Sequence, residues 1–185
     1  MRSKLRGKPS LDYNKLYRVY SILLIVIFKE EKMTCLACDR IQQIREQSNA
    51  FFVTELEESY VVLADDQRYV GYSILILKDH VEHLHELTQE RRLSLFKDVT
   101  DAADSVVAVF HPLRLNYECL GNSLAHIHWH VIPRYEWDPE PTLPIWVRPE
   151  EERKVGVDPD VLAELVSKLR GELEKRITRE TILSR

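Results

Sequence analysis

The sequence predicts an α+β domain built on a mainly antiparallel five-stranded sheet, with one long helix and a further C-terminal helix. Three observations predict it. Five short runs rich in Val, Ile, Leu and Tyr are bounded by polar or glycine-containing turns. A helical apolar period between residues 88 and 110 separates the third run from the fourth. The fifth run, His126-Ile127-His128-Trp129-His130-Val131-Ile132, carries a histidine at every second residue with bulky apolar residues between, which is the period of a strand.

The chain has 185 residues, of which 44% are hydrophobic and 30% charged. Such a chain forms one ordinary globular domain with a sizeable core. Residues 1–32 read as an atypical N-terminal extension, 33–150 as the domain proper and 151–185 as a C-terminal helical extension. The extension at 1–32 carries eight Lys/Arg against three acids, a net of +5, and leaves 18 basic and 27 acidic side chains, a net of −9, for the rest. An acidic body is a poor platform for nucleic acid backbones, so no stable nucleic acid binding is expected. Within the extension, residues 22–28 form an apolar run too short to span a bilayer. A transit peptide, an added strand and an untranslated leader preceding a start at Met33 are the three readings of it; no membrane association is expected. Three cysteines, Cys35, Cys38 and Cys119, do not make a disulfide framework and suit a reducing, cytoplasmic setting.

Taken in order, the Cys35-x-x-Cys38 knuckle precedes a short polar helix expected at 39–48. Strands are expected at 50–55, 60–64 and 72–78, and Gly71 marks a tight approach before the third. Thr88 caps the long helix, whose stripe is Leu93, Phe96, Val99, Ala103, Val106 and Phe110, and Pro112 stops it. Residues 115–120 read as the fourth strand, Gly121-Asn122-Ser123 as a turn and 125–134 as the fifth strand. Pro139, Pro141, Pro144 and Pro149 imply an irregular loop. Asp158-Pro159 opens the last helix, with Leu162, Leu165, Val166, Leu169 and Leu173 on one face.

On an ideal strand the imidazoles of His126, His128 and His130 project from one side. Two chemistries use such a row. Three ligands to one metal is awkward, because alternate side chains stand roughly 6.5–7 Å apart and the row spans about 13 Å. Alternatively, a neutral imidazole attacks phosphorus while a neighbour serves the leaving group. Histidine's ordinary pKa of about 6.5 makes the second chemistry fail in acid.

The run from His126 to Ile132, together with Gly121-Asn122-Ser123-Leu124-Ala125 and the segment from Tyr69 to Val81, resembles the histidine triad (HIT) family of nucleotide hydrolases and transferases. The resemblance covers about residues 35–137. It implies that His128 is the nucleophile, attacking an α-phosphate to form a nucleotidyl-histidine that water then releases. It implies that His130 contacts the phosphate or leaving group, and a histidine there favours a hydrolase, since transferases and phosphorylases of the family tend to carry Gln. Asn122 and Ser123 match turn residues that contact the phosphate and leaving group. Asp65 resembles the residue that holds the ribose hydroxyls, though it is equally an ordinary turn acid. Where many relatives carry Pro-Gly-His, this chain has Val70-Gly71-Tyr72, a change expected at the pocket rim.

The resemblance extends to the cysteines. The segment from Asp79 to Leu87 resembles the zinc-ligand segment of the family's uridylyltransferase branch, with His80 at the ligand position and His126 as the fourth ligand. Cys35, Cys38, His80 and His126 make the closed tetrahedral set of a structural zinc; His83 and His85 read as surface residues. No organic cofactor is expected. The expected function is hydrolysis of dinucleoside polyphosphates or nucleotide phosphoramidates. The alternative is a zinc-stabilised nucleotide-binding or interaction protein with little catalysis. A homodimer is implied by the resemblance.

Overall fold

The five strands are β1 (Phe52–Glu55), β2 (Ser59–Leu63), β3 (Ser73–Leu77), β4 (Arg114–Glu118) and β5 (His128–Arg134). They form one sheet in the order β1-β2-β3-β5-β4, every neighbouring pair antiparallel. This computed structural model describes residues 35–153 and 155–183. The extension at 1–32 and the start at Met33 lie outside the described residues. The expected α+β fold with its antiparallel five-stranded sheet is present.

Alternation along the strands divides the core into two layers. Val53, Val61, Leu63, Leu75 and Val131 face one side and pack on two helices, α2 (Gln89–Phe110) and α4 (Pro159–Leu183). Val99, Ala102, Ala103 and Val106 of α2 meet them, as do Leu162, Val166, Leu169 and Leu173 of α4. The last helix therefore covers its own sheet, which its amphipathic stripe alone does not decide. On the opposite face, α1 (Leu36–Arg45) lays Ala37, Ile41 and Ile44 on Tyr60, Val62 and Ile76. With both faces covered, every residue of β2 is buried.

Local chemistry accounts for the helix ends. Thr88 caps α2, its hydroxyl accepting the Arg91 N–H, and His111 closes it in the left-handed conformation one residue before Pro112. Gly71 has φ +86°, and a Cβ there would stand 2.3 Å from the Phe110 ring, which confirms the tight approach. The stripe of α2 is corrected: Leu93 and Phe96 are exposed, whereas Leu95 and Ala102 are buried. Asp98 is buried too, and accepts the Glu58 N–H at 2.9 Å and the Ser59 hydroxyl at 2.8 Å. The helix is rotated so that this carboxylate clamps the β1–β2 turn.

Two boundaries differ in ways that matter for the site. The first helix begins at Leu36 rather than 39, which puts Cys35 at its N-cap and Cys38 in its first turn, on one face. The fifth strand begins at His128, not 125. The His126 N–H turns back to the Leu124 carbonyl at 3.0 Å, so His126 sits in a bend outside the ladder. The proline-rich loop is more ordered than its composition suggests, with a 3-10 turn at Ile145–Val147 and a short helix α3 at Glu150–Arg153. Arg134 at the end of β5 anchors it, pairing with buried Asp138 and donating to the carbonyls of Glu140 and Leu143. Among the described residues no helix is long and apolar enough to cross a membrane.

Candidate active site

His128 and His130 project from β5 toward the face covered by α1, opposite Ile76 and Ile74 of β3. They line a cavity of about 480 Å³ with Asp65, Leu124 and the α1 residues Leu36, Ala37, Asp39, Arg40 and Gln43. Leu36, Asp39, Arg40 and Gln43 follow the i, i+3, i+4, i+7 pattern of one helix face. Both imidazoles are buried, with ring centroids 4.9 Å apart.

The hydrogen bonds assign the tautomers. His128 Nδ1 lies 2.7 Å from the His126 carbonyl, which can only accept, so Nδ1 carries the proton and the neutral ring keeps a lone pair on Nε2. His130 Nδ1 lies 2.7 Å from the Tyr72 hydroxyl. Burial, and then the neighbouring His128, pushes the His130 pKa down to about 4. Burial raises the Tyr72 phenol well above its ordinary range, so both groups are uncharged at neutral pH. The Tyr72 position is therefore not at the rim, as expected from sequence, but against the third histidine.

His126 does something else. Its Nε2–H donates to the Leu77 carbonyl at 2.9 Å, leaving Nδ1 free, and Nδ1 stands 3.4 Å from Cys35 Sγ and 3.6 Å from Cys38 Sγ. His80 Nδ1 is 3.4 Å from Cys38 Sγ. One ligand atom from each of Cys35, Cys38, His80 and His126 lies within 4.8 Å of every other. Zn–S bonds of about 2.3 Å and Zn–N bonds of about 2.0 Å at a tetrahedral angle separate S from N by about 3.5 Å, so this donor set fits a metal. Burial, and then Cys35, raises the Cys38 thiol; a cation held by the cluster would favour its thiolate. Among the described residues the three histidines do not gather around one ion.

The remaining expected residues fare unequally. Asp65 lines the cavity, and both its oxygens are held by Arg40, at 2.7 and 2.9 Å. Asn122 and Ser123 lie on the exposed β4–β5 connection and do not line the cavity. His83 and His85 stack on each other in the 3-10 turn at Leu84–Glu86 and line a second cavity of about 410 Å³ that also touches His126 and His128. Reasoning from sequence missed Arg40, Trp146 and the contact of Tyr72. Trp146 packs 5.3 Å from His130, donates its indole N–H to Glu118, and carries the Arg153 guanidinium 4.9 Å over its ring. Arg40 stands four residues after Leu36 and shares its helix face; nothing local flags Trp146, which arrives on the folded-back proline loop.

A cavity holding paired imidazoles beside a Cys2His2 cluster, on a five-stranded antiparallel sheet, defines a histidine-triad architecture. The family model described as HIT domain matches residues 45–137, and the chain belongs to this family. It is 34% identical over 88 residues to the protein named "Protein hit" of Bacillus subtilis, a match spanning 45% of this chain and 61% of the length of that relative. A histidine triad protein from Bradyrhizobium japonicum superposes with a TM-score of 0.60 at 19% identity, covering 70% of this chain and 94% of that one. A zinc-bound histidine triad family protein from Mycobacterium smegmatis does so with a TM-score of 0.58 at 20% identity, covering 80% and 98%. These likenesses establish the fold.

Proposed function

We propose that the protein is a nucleotide hydrolase that cleaves at an α-phosphate, in a dinucleoside polyphosphate or a nucleotide phosphoramidate, through a nucleotidyl-His128 intermediate. The observation that carries this reading is the bond from His128 Nδ1–H to the His126 carbonyl, which leaves the Nε2 lone pair free as nucleophile on the wall of the cavity. A nucleoside would lie between Leu36, Leu124 and the Ile74–Ile76 floor, with Asp65 accepting from the ribose hydroxyls. Arg40 occupies one position on each Asp65 oxygen and leaves another free. His130 donates a hydrogen bond to the phosphoryl group, and Asn122 and Ser123 of the exposed turn are the residues proposed to contact the phosphate and leaving group.

Cys35, Cys38, His80 and His126 would hold zinc. With four protein ligands such an ion supplies structural cross-linking and no open position for substrate. The domain proper, 33–150, then carries the chemistry, and 151–185 serves as the helical cover of the sheet. The setting is cytoplasmic and the assembly a homodimer. The two sheet edges support the latter: Arg170 of α4 donates to the Phe52 and Val53 carbonyls and closes β1, whereas β4 ends the sheet with Tyr117 exposed, and Leu93 and Phe96 are exposed on α2.

Mass spectrometry after mixing with a slow nucleotide substrate tests the mechanism. A nucleotidyl adduct on His128 is expected, with loss of turnover in His128→Ala; full activity in that variant and no adduct would remove it.

A further inference from the structure

Three rings surround His130. Tyr72, His128 and Trp146 have centroids at 5.9, 4.9 and 5.3 Å from it. Glu118, its cross-strand partner in β4, turns its carboxylate to the Trp146 indole N–H. The Tyr72 hydroxyl is buried, and among the described residues His130 Nδ1 is its one hydrogen-bond partner. If His130 donated, the phenolic proton would be buried without an acceptor, so the phenol donates to Nδ1. That leaves His130 as a neutral ring with its proton on Nε2.

A neutral Nε2–H can donate a hydrogen bond but has no proton to release. Giving it up would produce an imidazolate, or a Tyr72 phenolate by relay, and burial disfavours both. The low pKa of His130 points the same way. We infer that the Tyr72–His130 pair selects substrates whose leaving group departs as an anion, namely nucleotides joined through a phosphoanhydride bond, over those with a P–N bond to an alkylamine. This rests on His128 being the nucleophile. In the favoured reaction the His128 Nε2 lone pair forms the N–P bond while the bond from α-phosphorus to the bridging oxygen breaks. Its electron pair leaves on a phosphate oxygen that needs no proton at neutral pH. Water then attacks phosphorus, the N–P pair returns to Nε2, and the water's proton passes to solvent. Cleaving P–N would leave the pair on a strongly basic nitrogen, which requires a general acid.

Hydrolysis of diadenosine tetraphosphate is to be compared with that of the adenosine 5′-phosphoramidate of a primary alkylamine, at about pH 7.5, in wild type, Tyr72→Phe and Tyr72→His. Imidazole nitrogen NMR reads the His130 tautomer in the same proteins. In wild type we expect the Nε2–H tautomer and a preference for the anhydride of ~100-fold or more in kcat/KM, the scale of a missing general acid. Tyr72→Phe should mix the tautomers and lower kcat on the anhydride about tenfold with KM within about twofold. Tyr72→His, which restores a ring N–H donor, should recover both. Equal turnover of the two substrates, an Nδ1–H tautomer in wild type, or an unchanged tautomer in Tyr72→Phe each overturn the inference. Cleavage of neither substrate, without an adduct on His128, overturns the catalytic reading itself, and the tautomer measurement still judges Tyr72 on its own.

Discussion

The carbonyl of His126 holds the ring of His128 at 2.7 Å, while the ring of His126 faces the Cys35 and Cys38 thiols. One residue thus joins the metal cluster to the proposed nucleophile, through its side chain on one side and its main chain on the other. A metal tethering the His126 ring would fix the bend that presents this carbonyl, and so would stabilise the fold and orient His128 without touching phosphate.

Stripping the metal with a strong chelator should lower the melting temperature by about 5 °C or more, and Cys35→Ser should do the same. Turnover should fall through kcat more than through KM, because the nucleophile loses its orientation while the nucleoside pocket persists. Loss of bound zinc with no change in melting temperature contradicts a structural role; thermal denaturation alongside metal analysis checks it.

Acid stability should report His130. Its folded pKa is about 4, against about 6.5 for an unfolded histidine, so below 6.5 the unfolded chain binds the proton first. The stabilisation is complete above about pH 6.5 and is lost as pH falls toward 4, by roughly 3 kcal/mol at 1.36 kcal/mol per unit. Urea unfolding of wild type and His130→Gln between about pH 4.5 and 7.5 isolates this contribution, since the other histidines titrate in both. Parallel pH slopes in the two proteins would refute it.

Gly71→Ala should be costly for two separate reasons. The residue has φ +86°, and the new Cβ would stand 2.3 Å from the Phe110 ring. A loss of about 2–4 kcal/mol is expected by chemical denaturation. Phe110→Leu in the same chain should recover the steric part and leave the backbone part, so a double variant no better than Gly71→Ala would show that the close approach is not the cause.

Arg134→Gln should leave Asp138 buried without its cation and release the proline loop, costing about 3–5 kcal/mol. Because that loop carries Trp146 to His130, hydrogen exchange should also rise across residues 139–147. Arg134→Met with Asp138→Leu should regain much of the stability; recovery of neither stability nor protection would show that the loop is held by something other than this pair.

Much of the architecture is local and therefore written in the chain. Short apolar and β-branched runs bounded by polar turns mark the strands, Thr88 can cap the helix that starts at Gln89, and Gly71 is the residue that tolerates its backbone angle. The strand period placed His128 and His130 together on one face. The metal set was legible only through the family resemblance, and the structure gathers those four residues. What the tertiary structure alone decided is where elements turn relative to one another. Helix α2 rotates to bury Asp98 rather than Leu93 and Phe96, because a carboxylate holding two donors of the β1–β2 turn fixes its facing. His126 leaves the strand through a single main-chain bend, Tyr72 turns inward to His130, and Trp146 arrives from a loop anchored by Arg134. Each of these is a contact between residues far apart in the chain, and periodicity carries no record of such contacts.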